Sequence, residues 1–257
     1  MAHYTLTSRA KRVMCSICRC QIFFLKLNDC GIAMTSALGS AADPLALDER
    51  QCYLLIRFHS DCASKCRVGI HSNIRSIHAR KGHVLGLATR LEIAEGFWPL
   101  NTGLAVLYFP TIKSAVSWME ETPDVKEPNW IHPGLDVIAV PLAAATFSKR
   151  PLFVFQNTTI RDPLNRNKYA KEYISSLHQT RSSSEIAACL LVVAGSEVRS
   201  IRGRWETDLM LVHQFNNATD MRRWKDSQSH GQHRELLHIL SQSIMTVIAA
   251  LREIKDR

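Results

Sequence analysis

The sequence predicts an α+β protein built from two consecutive β-α-β-β-α-β units whose sheets pack face to face. Three observations lead there. One stretch occurs twice, as "GFWPLNTGLAVLYFP" (96–110) and "GRWETDLMLVHQFNN" (203–217). The order of strand-like and helix-like segments is the same around both copies. Finally, the strand-like runs "LLIRF", "LAVLYF", "LFVF" and "CLLVVA" are apolar on both alternating faces, as expected for sheets covered on both sides.

The repeat is anchored by rare residues. Gly96 and Trp98 match Gly203 and Trp205 at one spacing; Phe109 and Trp118 match Phe215 and Trp224 after a one-residue loop difference. The chain has five tryptophans, and four of them take part, so coincidence is a poor explanation.

Taken in order, "QCYLLIRFH" (51–59) reads as a strand. Ile70, Ile74 and Ile77 give a helical stripe between Asp61 and Lys81, with Gly82 as its stop. "HVLGLATRLEI" (83–93) and "TGLAVLYF" (102–109) are strands, and Thr111 caps a helix that gathers Ile112, Ala115, Val116 and Met119 on one face. "LDVIAVPL" (135–142) closes the first unit. In the second, "PLFVFQNTTI" (151–160) is a strand, Tyr169, Tyr173 and Leu177 form a helical stripe, and "ACLLVVAGSEV" and "DLMLVHQF" are strands. A helical region interrupted near "SQSHGQ" leads to the last strand, "IMTVIAAL" (244–251). The resulting partition is an N-terminal extension over 1–50, expected to be poorly ordered, a first unit over 51–148 and a second over 149–257.

Each unit is expected to form a four-stranded antiparallel sheet with two helices on one face, the ferredoxin-like arrangement, its bare face covered by the other unit. Both copies of the repeated stretch resemble the domain-of-unknown-function 1330 family of dimeric α+β barrels: a glycine, a Trp two residues on, an apolar strand ending in Phe, then a helix carrying an aromatic residue. "TTIRDPLNRNKYAKEY", with Asp162, Pro163, Tyr169 and Tyr173, is similar to that family's strand-Asp-Pro-helix opening. The first unit departs from it with "HSDCASKC", and Asn216 stands where the first unit has Pro110. The resemblance implies a duplicated barrel over roughly 51–252 with a small-molecule pocket, and it carries no catalytic set.

Composition narrows the function classes. Net charge is +9, and seventeen of the thirty-two basic residues lie in 149–257, but they are scattered and form no nucleic-acid-binding block. No run of about eighteen apolar residues suggests a membrane span. Four of eight cysteines fall in the first thirty residues, and "CSIC" lacks a second knuckle for zinc. Cys52 and Cys189 read as small core residues. The cysteine-rich segment 1–33 looks appended, with Met34 as an alternative start; the cytosol is the expected compartment, or the mitochondrion if 1–33 is a transit segment.

Candidate chemistry centres on His213, which stands in an apolar strand where the first unit carries Leu107. It suits a general base or a ligand contact, and the plainer reading is a hydrogen-bonded core histidine. Glu197 is the nearest candidate for an orienting carboxylate. Arg199, Arg202 and Arg204 could clamp an anion, or form a solvated turn. Trp98 and Trp205 could line a pocket or cover the sheet end. In "HGQHRELLH", His230 and His233 could share a helix face, but His238 lies about 80° from His230, so no metal site is expected. No cofactor is called for. The chain is therefore expected to bind a small molecule in a pocket of the pseudo-dimer; the alternatives are a cofactor-independent monooxygenase- or isomerase-like enzyme using His213, and a structural or interaction protein. Nucleic acid and membrane are not expected partners, and further homodimerisation is compatible with the pattern.

Overall fold

The computed structural model describes residues 47–122, 135–143, 150–179 and 189–254. The cysteine-rich segment, the alternative start at Met34 and the loop before "LDVIAVPL" lie outside them. Residues 47–50 are already engaged: Leu47 packs on the first core, and Ile112 N donates to Arg50 O at 3.0 Å.

Two five-stranded antiparallel sheets form the frame. The first unit supplies β1 (Cys52–His59), α1 (Ala63–Ser72), α2 (Ile74–Ala79), β2 (His83–Ala88), β3 (Glu92–Glu95), β4 (Thr102–Phe109), α3 (Ile112–Glu121) and β5 (Asp136–Pro141). The second supplies β6 (Leu152–Ile160), α4 (Arg166–Gln179), β7 (Cys189–Gly195), β8 (Arg199–Arg202), β9 (Leu209–Phe215), α5 (Ala218–Lys225), α6 (Gln228–Leu240) and β10 (Ser241–Ala250). The strand orders are β2-β4-β1-β5-β8 and β3-β10-β6-β9-β7. Omitting β3 and β8, each sheet has the ferredoxin-like order, so the chain is a pseudo-dimeric α+β barrel.

The fifth strands are exchanged, which the sequence reading did not foresee. "HVLGLATRLEI" is not one strand: after Ala88 the chain leaves the first sheet, and β3 pairs with β10 of the second. Reciprocally, β8 leaves the second unit to pair with β5 of the first. Apolar alternation reports that a segment is extended but not which sheet edge it joins. The repeated glycines explain how the arms come so close. Gly96 (φ 72°) and Gly203 (φ 82°) occupy the left-handed region. A Cβ at Gly96 would run into the Ile244 carbonyl, and one at Gly203 into Asp136.

The helix expected over 61–81 is also divided. Asn73 donates through Nδ2 to Gly69 O at 2.9 Å, satisfying a carbonyl at the end of α1, and α2 restarts beyond it. The α3 cap is as the sequence indicates: Ser114 N donates to Thr111 Oγ1 at 2.9 Å. The interruption near "SQSHGQ" falls at Asp226 and Ser227, where Ser227 Oγ caps α6 by accepting from His230 N.

Between the sheets, Tyr53, Leu55, Leu104, Val106, Ile138 and Val140 meet Phe153, Phe155, Met210, Val212, Val247 and Ala249. Each large apolar side chain buried here contributes about 1.5–3 kcal/mol. The seams are closed by backbone bonds: Ala143 N donates to Val192 O, while Leu87 and Arg252 exchange two. Among the described residues, no helix is long and apolar enough to cross a membrane.

Candidate functional site

The two sheets can be compared position by position, because their registers correspond. β1 pairs Leu54 with Leu107, and β6 pairs Val154 with His213. The faces turned toward the helices then differ sharply. In the first unit Ile56, Phe58, Leu107 and Val137 belong to one apolar core with Ile70, Ile77 and Trp118. Their counterparts in the second unit are Gln156, Thr158, His213 and Thr246, identified by Gln156 pairing with Leu211 and Thr246. Four polar side chains thus occupy positions where the first unit has aliphatic or aromatic ones.

Gln156, Thr158 and His213 are buried, and Thr246 is half-buried with its hydroxyl covered. Thr158 is fully covered and His213 is 2% exposed. Among the described residues, the hydroxyls of Thr158 and Thr246 have no hydrogen-bond partner. A buried, unsatisfied polar atom costs about 1–3 kcal/mol, so this face is less stable than its apolar twin would be.

Above the face lies a cavity of about 10 Å³, lined by Gln156, Tyr173, His213, Trp224, His230, His233 and Arg234, among others. That is room for about one water. β6 presents Gln156, β9 presents His213, α4 presents Tyr173, and the α5–α6 corner supplies Trp224, His230, His233 and Arg234. Trp224 lies between two imidazoles, its ring centroid 4.7 Å from His213 and 4.0 Å from His230. His233 stands edge-on to Tyr173 at 6.2 Å. Burial, reinforced by Arg234, His233 and Lys225 and opposed by Asp226, pulls the His230 pKa from 6.5 down to about 4. At neutral pH it is an uncharged imidazole. Burial pushes the Tyr173 phenol upward, so it stays a neutral hydroxyl.

The remaining sequence candidates go elsewhere. Glu197 forms an ion pair with Arg50, and Arg199 reaches Asp48 at 2.5 Å. Arg202 pairs by backbone with Val137 in β5, and Arg204 N donates to Asp136 Oδ1 at 2.7 Å. The three arginines therefore follow the exchanged β8 arm and do not converge with His213. Trp98 and Trp205 are buried against each other, 5.5 Å apart. His238 leaves the other two α6 histidines and lies 2.8 Å from Glu95 Oε1. Among the described residues, no group of three potential ligands is placed to hold a metal ion.

Gln156, Thr246 and Glu95 are not among the sequence candidates, and Trp224 enters there only as an anchor of the repeat. The Ile56 and Gln156 contrast was available by extending the repeat to β1 and β6, but those strands share no rare anchor. Glu95 carried no signal, because its neighbours are set by the strand exchange.

No family model matches the chain, and no curated protein matches it. Solved structures do. A candidate monooxygenase from Fusobacterium nucleatum is 12% identical, with a TM-score of 0.51, over 79% of this chain and 93% of that one. A candidate monooxygenase from Lactobacillus acidophilus is 12% identical with a TM-score of 0.47, over 79% and 97%. A heme-binding protein from Thermus thermophilus is 7% identical with a TM-score of 0.44, over 80% and 92%. At these identities the likeness concerns the fold, and the chain has the fold of the dimeric α+β barrels.

Proposed function

We propose that the chain is a small-molecule-binding protein whose site lies between the second sheet and its helices α4, α5 and α6. The observation that carries this reading is the polar face formed by Gln156, Thr158, His213 and Thr246, of which Gln156 and His213 line the cavity, set against the wholly apolar face of the first unit. A packed core gains nothing from such groups, whereas a ligand-binding surface needs them to orient what it binds. Aromatic walls from Tyr173 and Trp224 complete the site.

The cavity is nearly closed, so a ligand larger than water requires the α5–α6 corner to move. Gly231, in the first turn of α6, has open space where a Cβ would stand, so no packing requirement explains the glycine there. A glycine weakens a helix by about 1 kcal/mol relative to alanine, which favours local opening at this corner.

The test is a thermal-shift screen of uncharged aromatic and heteroaromatic metabolites against the wild-type chain and the double variant Gln156→Ile, His213→Leu. Binders are expected to raise the wild-type melting temperature and lose that effect in the variant. Equal shifts in both proteins would remove this face from the site.

A catalytic version of the reading uses His213 as a proton acceptor, supported by its burial beside Trp224 within the same cavity. It predicts that His213→Ala abolishes turnover even at substrate concentrations that saturate the variant.

A further inference from the structure

The cavity lies in the second unit, yet one acidic side chain from the first unit pairs with one of its lining residues. Glu95 ends β3, the exchanged arm, and stands beside Thr246 in register. Its side chain is 18% exposed, and a single oxygen, Oε1, lies 3.5 Å from Nη2 of the half-exposed Arg234 and 2.8 Å from His238 Nε2. Arg234 also lines the cavity, and among the described residues it is the one lining side chain with a fixed charge. α6 therefore offers a guanidinium to the cavity with a counter-ion already in place.

We propose that Glu95 determines the charge selectivity of this site: by neutralising Arg234 it reserves the cavity for uncharged, hydrogen-bonding ligands and disfavours carboxylates. The proposal rests on the reading of the cavity as a ligand site. The chemistry is a competition. An unopposed arginine beside aromatic walls would attract an aromatic carboxylate through a charge-assisted pair. Here any such anion must displace Glu95 or share the guanidinium with it, and like charges brought that close repel one another. A neutral amide or hydroxyl pays no such penalty and can bond to Gln156, His213 or the Tyr173 hydroxyl. The equivalent of Glu95 in the other arm is Arg202, so this arrangement belongs to one half of the molecule.

The test uses the isosteric pair benzamide and benzoate, titrated into full-length wild type, Glu95→Gln and the double variant Glu95→Gln, Arg234→Gln. Binding is read by calorimetry and by the imidazole proton resonances of His213 and His230. The wild type is expected to bind benzamide at least tenfold more tightly than benzoate. Glu95→Gln is expected to strengthen benzoate binding about tenfold with benzamide held within twofold, and the double variant to lose that gain. Glutamine keeps an acceptor for His238, so the arm retains its contact with α6. Unchanged benzoate binding in Glu95→Gln, or equal changes for both probes, would overturn the selectivity role while leaving the site in place. Failure of both probes to move either histidine in any of the three proteins would overturn the site, and the proposal with it.

Discussion

Trp98 and Trp205 meet edge to face, their ring centroids 5.5 Å apart and their planes at 81°. They are equivalent residues of the two units, brought together where the exchanged arms cross. The Arg57 guanidinium lies over both rings, 5.3 Å from one centroid and 4.7 Å from the other, and forms an ion pair with Asp136. Asp136 in turn accepts from the β8 arm through Arg204 N. One charged pair therefore ties both arms to the barrel. The corresponding pair in the second sheet is Asn157 and Met245, so the device is present once.

Breaking that pair on one side strands its partner. Both side chains are about one-seventh exposed, so Asp136→Ala leaves a largely buried guanidinium without its counter-ion. The expected loss is about 3 kcal/mol by urea unfolding. The double variant Arg57→Met, Asp136→Leu is expected to lose less than the single one, because no charge is then left unpaired.

The glycines of the chain should divide into two kinds. Gly96→Ala and Gly203→Ala place a Cβ at positive φ against the backbone or side chain of the opposite sheet and should each cost more than about 2 kcal/mol. Gly231→Ala meets nothing and should stabilise the protein by up to about 1 kcal/mol. Chemical denaturation of the three variants checks both directions, and ligand association should be slower in Gly231→Ala.

Restoring the apolar pattern of the first unit should not weaken the fold. Gln156→Ile with His213→Leu replaces two buried polar groups by the residues found at Ile56 and Leu107. Its melting temperature is expected to equal or exceed that of the wild type, the usual outcome when polar groups serve binding at the expense of stability.

His230 should make stability depend on pH. Its folded pKa of about 4 lies below the 6.5 of an unperturbed histidine, so between these values the unfolded chain binds more protons. Stability from this residue is then full above about pH 6.5 and falls as the pH drops toward 4, below which both states are protonated and the loss levels off. His230→Gln is expected to flatten the melting-temperature profile in that window.

Much of the fold was legible because a few residues cannot be exchanged cheaply. Gly96 and Gly203 mark backbone that only glycine tolerates, and Trp98 and Trp205 fill the crossing point beneath them. The exchange of β3 and β8 was not legible, since strand pairing between edges is decided by tertiary packing that alternation does not encode. His213 stood out in the sequence because its equivalent is leucine. The rest of the site did not: Gln156 reads as one polar residue in a strand, Trp224 as an anchor of the repeat, and Glu95 as a residue just past the segment read as a strand. Their common location follows from β6 and β9 lying side by side beneath α4 and α5, with α6 packed on β10 and the arm of the other unit reaching Arg234.

The most direct test of the central claim is a proton–carbon correlation spectrum of the histidine rings during a titration with benzamide. The polar face of the second unit predicts saturable shifts at His213 and His230, with His71 and His78 of the first unit unmoved. Saturable binding that shifts the first-unit histidines and leaves His213 and His230 in place would contradict it.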